Sequence, residues 1–343
     1  MHIIQDERDR MMQKGPRIRL LTAAALLLTM TATTTWAKGM VTFSFDDGLS
    51  SVYYEAFPIL KKHHLMATAG IVFNRVISGN DDYMDVPQVL ELQRDGWEVA
   101  SHGYTHKRPS DIPQYFFEEP ISGWEADERL RGVYEAKYSY PLVAELWEDG
   151  RPMQAVSSIK EVVKTPGSYY HDTLIGAMHI RPYAPEHPKK LDIRSISYQR
   201  EMAESRKGLE NLGFKVTTYM TPYNAWSLEM SEISKYYYEQ AANGGESANC
   251  KGKVDRYWLK RFFIHTLGPA DEVTKLLKKN VIDKDGWVIL CFHGIEDETG
   301  WQPWSAENLE QLAAWIQQED IKVVTIAEGV EIMESGFLDS LFK

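Results

Sequence analysis

The chain has 343 residues, 43% of them hydrophobic and 12% aromatic, which excludes a disordered or fibrous protein and suffices for one large α/β domain. A formal net charge of -11 argues against nucleic acid as a partner. Its two cysteines do not specify a disulfide: Cys250 lies in a polar loop, and Cys291, inside an apolar run, is expected to be a buried free thiol.

Lys14, Arg17 and Arg19 precede an apolar run over residues 20–35, and Thr35-Trp-Ala37 approximates a small-x-small cleavage site. Residues 1–37 are therefore expected to be an export signal cleaved after Ala37, leaving 38–343 as a periplasmic or extracellular domain. The run is short and threonine-rich for a spanning helix, so no stable membrane span is expected after cleavage.

The next segment, Val41-Thr-Phe-Ser-Phe-Asp-Asp-Gly48, is an apolar strand that delivers two adjacent carboxylates, Asp46 and Asp47, to a glycine turn. Neighbouring carboxylates repel, so at a strand end they are either solvated turn formers or ligands held by a cation. Apolar spacing then predicts a helix over 52–63, a strand over 65–73, a helix over 86–94 closed by Asp95-Gly96, and a strand over 97–101. That alternation implies parallel strands joined by crossover helices. The third strand runs into His102-Gly-Tyr-Thr-His106, where one helical turn would put both imidazoles on one side, able to grip one ion.

From 107 to 196 the rhythm is lost in a segment punctuated by proline and rich in Tyr and Trp. It reads as a large insertion, serving either as a packed lid or as a wall that presents Trp124, Tyr134, Trp147, Tyr169 and Tyr170 to sugar rings. Regularity returns with a helix over 197–212 closed by Gly213, and a strand over 214–219 leading into Met220-Thr-Pro-Tyr-Asn224. A helix over 227–240, a strand over 258–264, a helix over 271–279 and the strand 286–292, which ends in His293, follow. A helix over 307–318 leads to 322–326 as the closing strand. About seven strands make a distorted (β/α) barrel with a large insertion after the third strand, its functional groups at the C-terminal strand ends.

Together these pieces resemble the polysaccharide deacetylases, carbohydrate esterases built on the NodB-homology domain, over most of residues 40–330. Ser44-Phe-Asp-Asp-Gly48 is similar to the family's first motif, His102 and His106 to its second, and Leu290-Cys-Phe-His293 to its fifth. The resemblance implies that Asp47, His102 and His106 hold one divalent metal ion, with Asp46 as catalytic base and His293 as general acid. Zinc suits that donor set, and two His with one Asp leave a coordination position open, as in hydrolytic sites. The implied reaction is N-deacetylation of a polymer of N-acetylhexosamine, with an N-acetylated glycan as partner and the segment at Pro222 and Tyr223 at the substrate.

Two departures stand out. Where the family commonly has Arg-x-Pro-Tyr, this chain has Met220-Thr-Pro-Tyr223, so Asp46 needs another orienting cation, for which Arg261 is the candidate. The family's fourth motif, an Asp/Trp pair, has only a loose echo in Asp255-Arg-Tyr-Trp258. A glycan-binding protein impaired in catalysis, or a deformylase or cyclic amidase acting on a small C-N substrate, are the alternative readings. The sequence carries no signal for an oligomeric state.

Overall fold

Strand β1 (Met40–Phe45) is buried along its whole length and hydrogen bonds on both edges. The computed structural model describes residues 39–108, 118–140, 145–183, 188–196, 198–297 and 301–341, all within the unit Trp36–Lys343. The export signal expected over 1–37 lies outside them. No helix among the described residues is long and apolar enough to cross a membrane.

Seven parallel strands close on themselves: β1, β2 (Ala67–Ile71), β3 (Glu98–Ser101), β4 (Thr218–Met220), β5 (Gln240–Asn243), β6 (Leu259–Phe263) and β7 (Trp287–Phe292). Closure runs in register from Met40 opposite Trp287 to Phe45 opposite Phe292. An eighth short strand, β8 (Lys322–Val323), pairs with Met40 and Val41, whereas β2 pairs with Phe43, Ser44 and Phe45. The closing strand expected at 322–326 is thus an addition that fills the stretch of β1 left over by β2; β7 closes the barrel.

Side-chain alternation along the strands explains why the ring is stable. Val41, Phe43, Phe45, Ala69, Val99, Leu290 and Phe292 join Leu60, Leu92, Leu209, Leu277 and Leu312 of the surrounding helices in one core cluster. The opposite set, including Met40, Ala100, Met220, Ala242, Leu259, Trp287 and Ile289, fills the interior together with Ile326, Val330 and Met333 of the terminal helix Ile326–Leu341. That helix plugs the base of the barrel. Thr325 and Glu328 form a reciprocal cap at its start, and the amides of Ile326 and Ala327 donate to Thr68 Oγ1 and Glu98 Oε2 of β2 and β3.

Three further elements differ from the sequence expectation. The strand foreseen over 214–219 begins only at Thr218, as β4. The helix foreseen over 227–240 stops at Ser234, and Gln240–Asn243 is β5. The strand foreseen over 65–73 ends at Ile71, and Phe73 begins a one-turn helix.

Within the 107–196 stretch the described residues build two small sheets. Glu125–Ala126, Tyr134–Lys137, Ala177–Arg181, Ser168–Asp172 and Gln154–Ala155 form one, and Glu118–Pro120, Ile193–Ile196, Glu145–Glu148 and Arg151–Pro152 the other. They share a core of their own that contains Trp124, Ala136, Tyr138, Leu146, Met178, Ile180 and Ile193.

Candidate metal centre and its cavity

The C-terminal ends of β1, β3, β4, β6 and β7 converge on a cavity of about 400 Å³ lined by Asp46, Asp47, His102, His106, Arg108, Tyr223, Asn224, Phe263, His265, His293 and Trp301. Neighbouring strands fix its backbone: the Asp46 amide donates to the Phe292 carbonyl (2.9 Å) and the His102 amide to that of Ile71 (2.8 Å).

Asp47, His102 and His106 each bring a donor atom within 4.8 Å of the others. His102 is buried, and its Nδ1 donates to the Met220 carbonyl at 2.7 Å. A carbonyl can only accept, so that bond fixes the tautomer and turns the Nε2 lone pair toward Asp46 (3.9 Å) and Asp47 (3.7 Å). Burial lowers the His102 pKa to about 4, against the opposing pull of Asp46, which leaves the ring neutral. Neutral imidazole with an exposed lone pair is the form that ligates a metal.

His106 Nε2 lies 2.8 Å from Asp47 Oδ1, and Arg75 Nη1 donates to the same oxygen at 2.8 Å. Burial would raise the Asp47 carboxyl, but the His106 hydrogen bond and the charges of His102, His106 and Arg75 hold it far below the ordinary carboxylate range. The proton shared by His106 and Asp47 is the one that a cation held by the same atoms displaces. One anionic carboxylate and two imidazoles thus fit a single divalent ion with open coordination positions.

No helical turn carries the histidine pair. Gly103 has φ 87° and His106 φ 63°, and the loop folds back to bring the two rings within 5.0 Å. Asp47 is also left-handed, at φ 74°, so two non-glycine candidate ligands sit in backbone that costs about 1–3 kcal/mol each.

Asp46, 5% exposed at its side chain, is bound by Arg261, which is fully buried: Nη1 donates to Oδ1 at 2.7 Å. The second guanidinium nitrogen donates to Asn224 Oδ1 at 2.6 Å, and the Cys291 thiol lies 3.6 Å from Asp46 Oδ2. Burial alone would raise the Asp46 carboxyl; Arg261 first, then His102 and His293, hold it below its ordinary value. The arginine absent at Met220 therefore has a counterpart two strands away, on β6. Met220 itself is buried and faces the interior near Gly70.

His293 faces the same cavity, its ring 4.9 Å from that of Trp301. Burial lowers its pKa against the raising effect of Asp46 and Asp47. Tyr223, 57% exposed at φ 56°, lies over the His106 ring (4.8 Å), with Arg108 across its own face (4.8 Å). Pro222 is buried and does not line the cavity; it precedes the turn that projects Tyr223.

Of the two readings of the insertion, packed lid or aromatic wall, the wall has no member at this cavity among the described residues. Trp124 and Tyr169 are buried in the insertion's own core, and none of Trp124, Tyr134, Trp147, Tyr169 and Tyr170 lines the cavity. Its aromatic walls are Tyr223, Phe263 and Trp301, the last 53% exposed. Sequence reasoning had passed over Arg75, His265 and Trp301. Arg75 and His265 follow the ends of β2 and β6, so inspecting every residue just past a strand end would have found them.

A closed parallel barrel with a carboxylate–imidazole cluster at its C-terminal strand ends places a candidate metal site where barrel enzymes carry their functional groups. Residues 34–140, which include β1 to β3, match the polysaccharide deacetylase family model. The Bacillus subtilis protein YxkH, named as a proposed polysaccharide deacetylase, is 24% identical over 140 residues, 40% of this chain. The match spans half the length of that relative. Among solved structures, the carbohydrate esterase domain of a multidomain xylanase from the hindgut metagenome of Trinervitermes trinervoides aligns at 15% identity, covering 86% of this chain and 90% of its own, with a TM-score of 0.44. A variant of the Bacillus subtilis peptidoglycan deacetylase PdaC aligns at 12% identity, covering 89% and 96%, with a TM-score of 0.45. At that level of likeness the barrel rests on its own strand pairing.

Proposed function

We propose that the protein is an exported, metal-dependent hydrolase that removes N-acetyl groups from an N-acetylhexosamine-containing polysaccharide and releases acetate. The observation that carries this reading is the contact of two carboxylates with different partners: Asp47 with the two imidazoles, and Asp46 with a buried arginine.

Asp47, His102 and His106 would hold the ion, zinc being the one their donor set suits. When bound, such an ion supplies Lewis-acid polarisation of the acetamide carbonyl and acidifies a water molecule. Asp46, held anionic by Arg261, would act as general base toward an attacking water. The Arg261 bond occupies Oδ1 and so directs the other carboxylate oxygen at the reacting centre. His293 donates to the departing amine nitrogen, which leaves poorly as an anion. The proton His293 gives up is balanced by the one Asp46 takes from water, so both groups return to their starting states once that proton passes between them. Tyr223 and Trp301, both exposed at the cavity, offer ring faces to a sugar.

A glycan binder impaired in catalysis drew its main support from the methionine at 220. With Arg261 on Asp46, the base has its cation, and that support weakens. The test is acetate release from chitin oligomers, peptidoglycan, poly-N-acetylglucosamine and galactosamine-containing polymers, with and without chelator. Chelator-sensitive release from one of them is expected. No release from any, by a metal-loaded preparation, would refute the reading.

A further inference from the structure

The loop between the two histidines has a dedicated holder. Glu201, 3% exposed, lies on the first turn of the helix Gln199–Asn211, where the chain returns from the 107–196 insertion. Its Oε2 accepts the amide N–H of Tyr104 (3.0 Å) and of Thr105 (2.8 Å), and its Oε1 accepts the Thr105 hydroxyl (2.6 Å). A glutamate three residues past an N-cap ordinarily reaches back to its own helix start. Here both oxygens bond to another segment, and charge-assisted bonds of this kind are the strong ones.

That segment is the one most in need of support. It joins His102 to His106 through two left-handed residues, Gly103 and His106, and its bend sets where the His106 ring stands. A Cβ at Gly103 would make only ordinary contacts, with Glu201 Oε2 at 3.4 Å and Pro222 at 3.6 Å, so its φ of 87° and not crowding is what calls for glycine there. Past His106, the Tyr198 hydroxyl donates to the Lys107 carbonyl at 2.9 Å, so residues 198 and 201 grip the chain on both sides of the ligand.

We propose that Glu201 is a positioning residue for the metal ligand His106: by bonding to Tyr104 and Thr105 it fixes the loop that aims His106 Nε2 at Asp47. The proposal rests on the metal-site reading above. Outer partners of ligating groups typically change metal affinity by about 10- to 100-fold, and Glu201→Ala should weaken zinc binding within that range.

The experiment measures zinc affinity of the purified full chain by chelator competition, alongside the thermal midpoint, for the parent, Glu201→Ala, Glu201→Gln, Thr105→Val and Tyr238→Phe. Tyr238 donates to the Met202 carbonyl on the same helix (2.7 Å), so its variant loosens that helix and leaves all three Glu201 bonds in place. Expected are a 10- to 100-fold loss in Glu201→Ala, partial rescue in Glu201→Gln, whose amide oxygen can still accept both N–H groups, and parent affinity in Tyr238→Phe. Parent-like affinity in Glu201→Ala would overturn the proposal. Equal losses in Glu201→Ala and Tyr238→Phe would overturn it too, as a general effect of helix stability. Should Glu201→Ala fail to fold, Thr105→Val decides: it removes one of the three bonds, and unchanged affinity would sink the idea. A parent that binds no zinc would instead refute the metal-site reading, and this proposal with it.

Discussion

Replacing Arg261 by methionine keeps an unbranched stem and removes the cation from Asp46. The pair meets at 2.7 Å with 0% and 5% of the side chains exposed, so solvent does little to replace the lost partner. Taking charge centres about 4 Å apart and an effective dielectric of about 20, the lost attraction is about 4 kcal/mol, within the ~3–5 kcal/mol expected when one member of a buried pair is removed. Urea unfolding of metal-free protein at pH 7 should show that loss. Its pH dependence follows from the sign of the shifts. In the parent, the lowered Asp46 pKa gives stability that is present above the unfolded value of about 3.8 and is lost as pH falls through the folded value. In the variant, burial acts without its main opponent, so ionised Asp46 becomes a liability that protonation relieves. The gap between parent and variant should therefore be widest at pH 7 and shrink toward pH 4. Asp46→Asn combined with Arg261→Met should recover part of the loss. A gap under about 1 kcal/mol at pH 7, or one that does not change with pH, would refute the account.

Asp46→Asn and His293→Ala should each lower kcat by about 10²- to 10⁴-fold while retaining metal, measured by acetate release and elemental analysis on the same preparation; parent-like rates in either would remove its role. His106→Ala and Asp47→Ala should lose zinc in the same elemental analysis, and retention in both would dissolve the proposed centre. Trp301→Ala should raise KM for longer oligomers with metal content and kcat nearly unchanged, and an unchanged KM would deny that ring a place in substrate binding. Leu146→Ala, in the insertion's own core, should cost about 2–5 kcal/mol in urea unfolding while leaving zinc affinity intact.

What could be read from the chain divides along physical lines. β1 and β7 are long apolar runs that end in functional residues, and nothing but a strand explains them. β5 is Gln-Ala-Ala-Asn, small and polar, held only because its neighbours supply two edges, so it vanished into the preceding helix pattern. The spacing of His102 and His106 announced a pair, but not the way they meet: positive φ at Gly103 and His106 does with a tight loop what a helical turn was expected to do. Aromatic density over 107–196 was visible, yet density alone does not say which way a ring faces. Strands of two to five residues built a separate core that took up Trp124 and Tyr169. Arg261 was recognisable as a cation on a strand near the right place; Glu201 had no signal at all, since its partners lie 96 and 97 residues away.

The closure of β1 on β7 also governs when the site can come into being. Ser44 Oγ donates to the Leu290 carbonyl across a sequence separation of 246 residues, and the plug at the base ties Ile326 to Thr68 across 258. Contacts so distant are slow to form, because loop-closure entropy must be overcome before they reward the chain. During synthesis or refolding, β1 must wait with one edge unpaired until the last quarter of the chain arrives, and such an edge is a hazard for aggregation. Asp46 gains Arg261 and His293 only at that final closure. An intermediate that has folded β1 to β3 alone lacks the Met220 carbonyl on His102, Glu201 on the histidine loop and Arg261 on Asp46, so the proposed metal affinity and the proposed base are both expected to arrive only with the later strands.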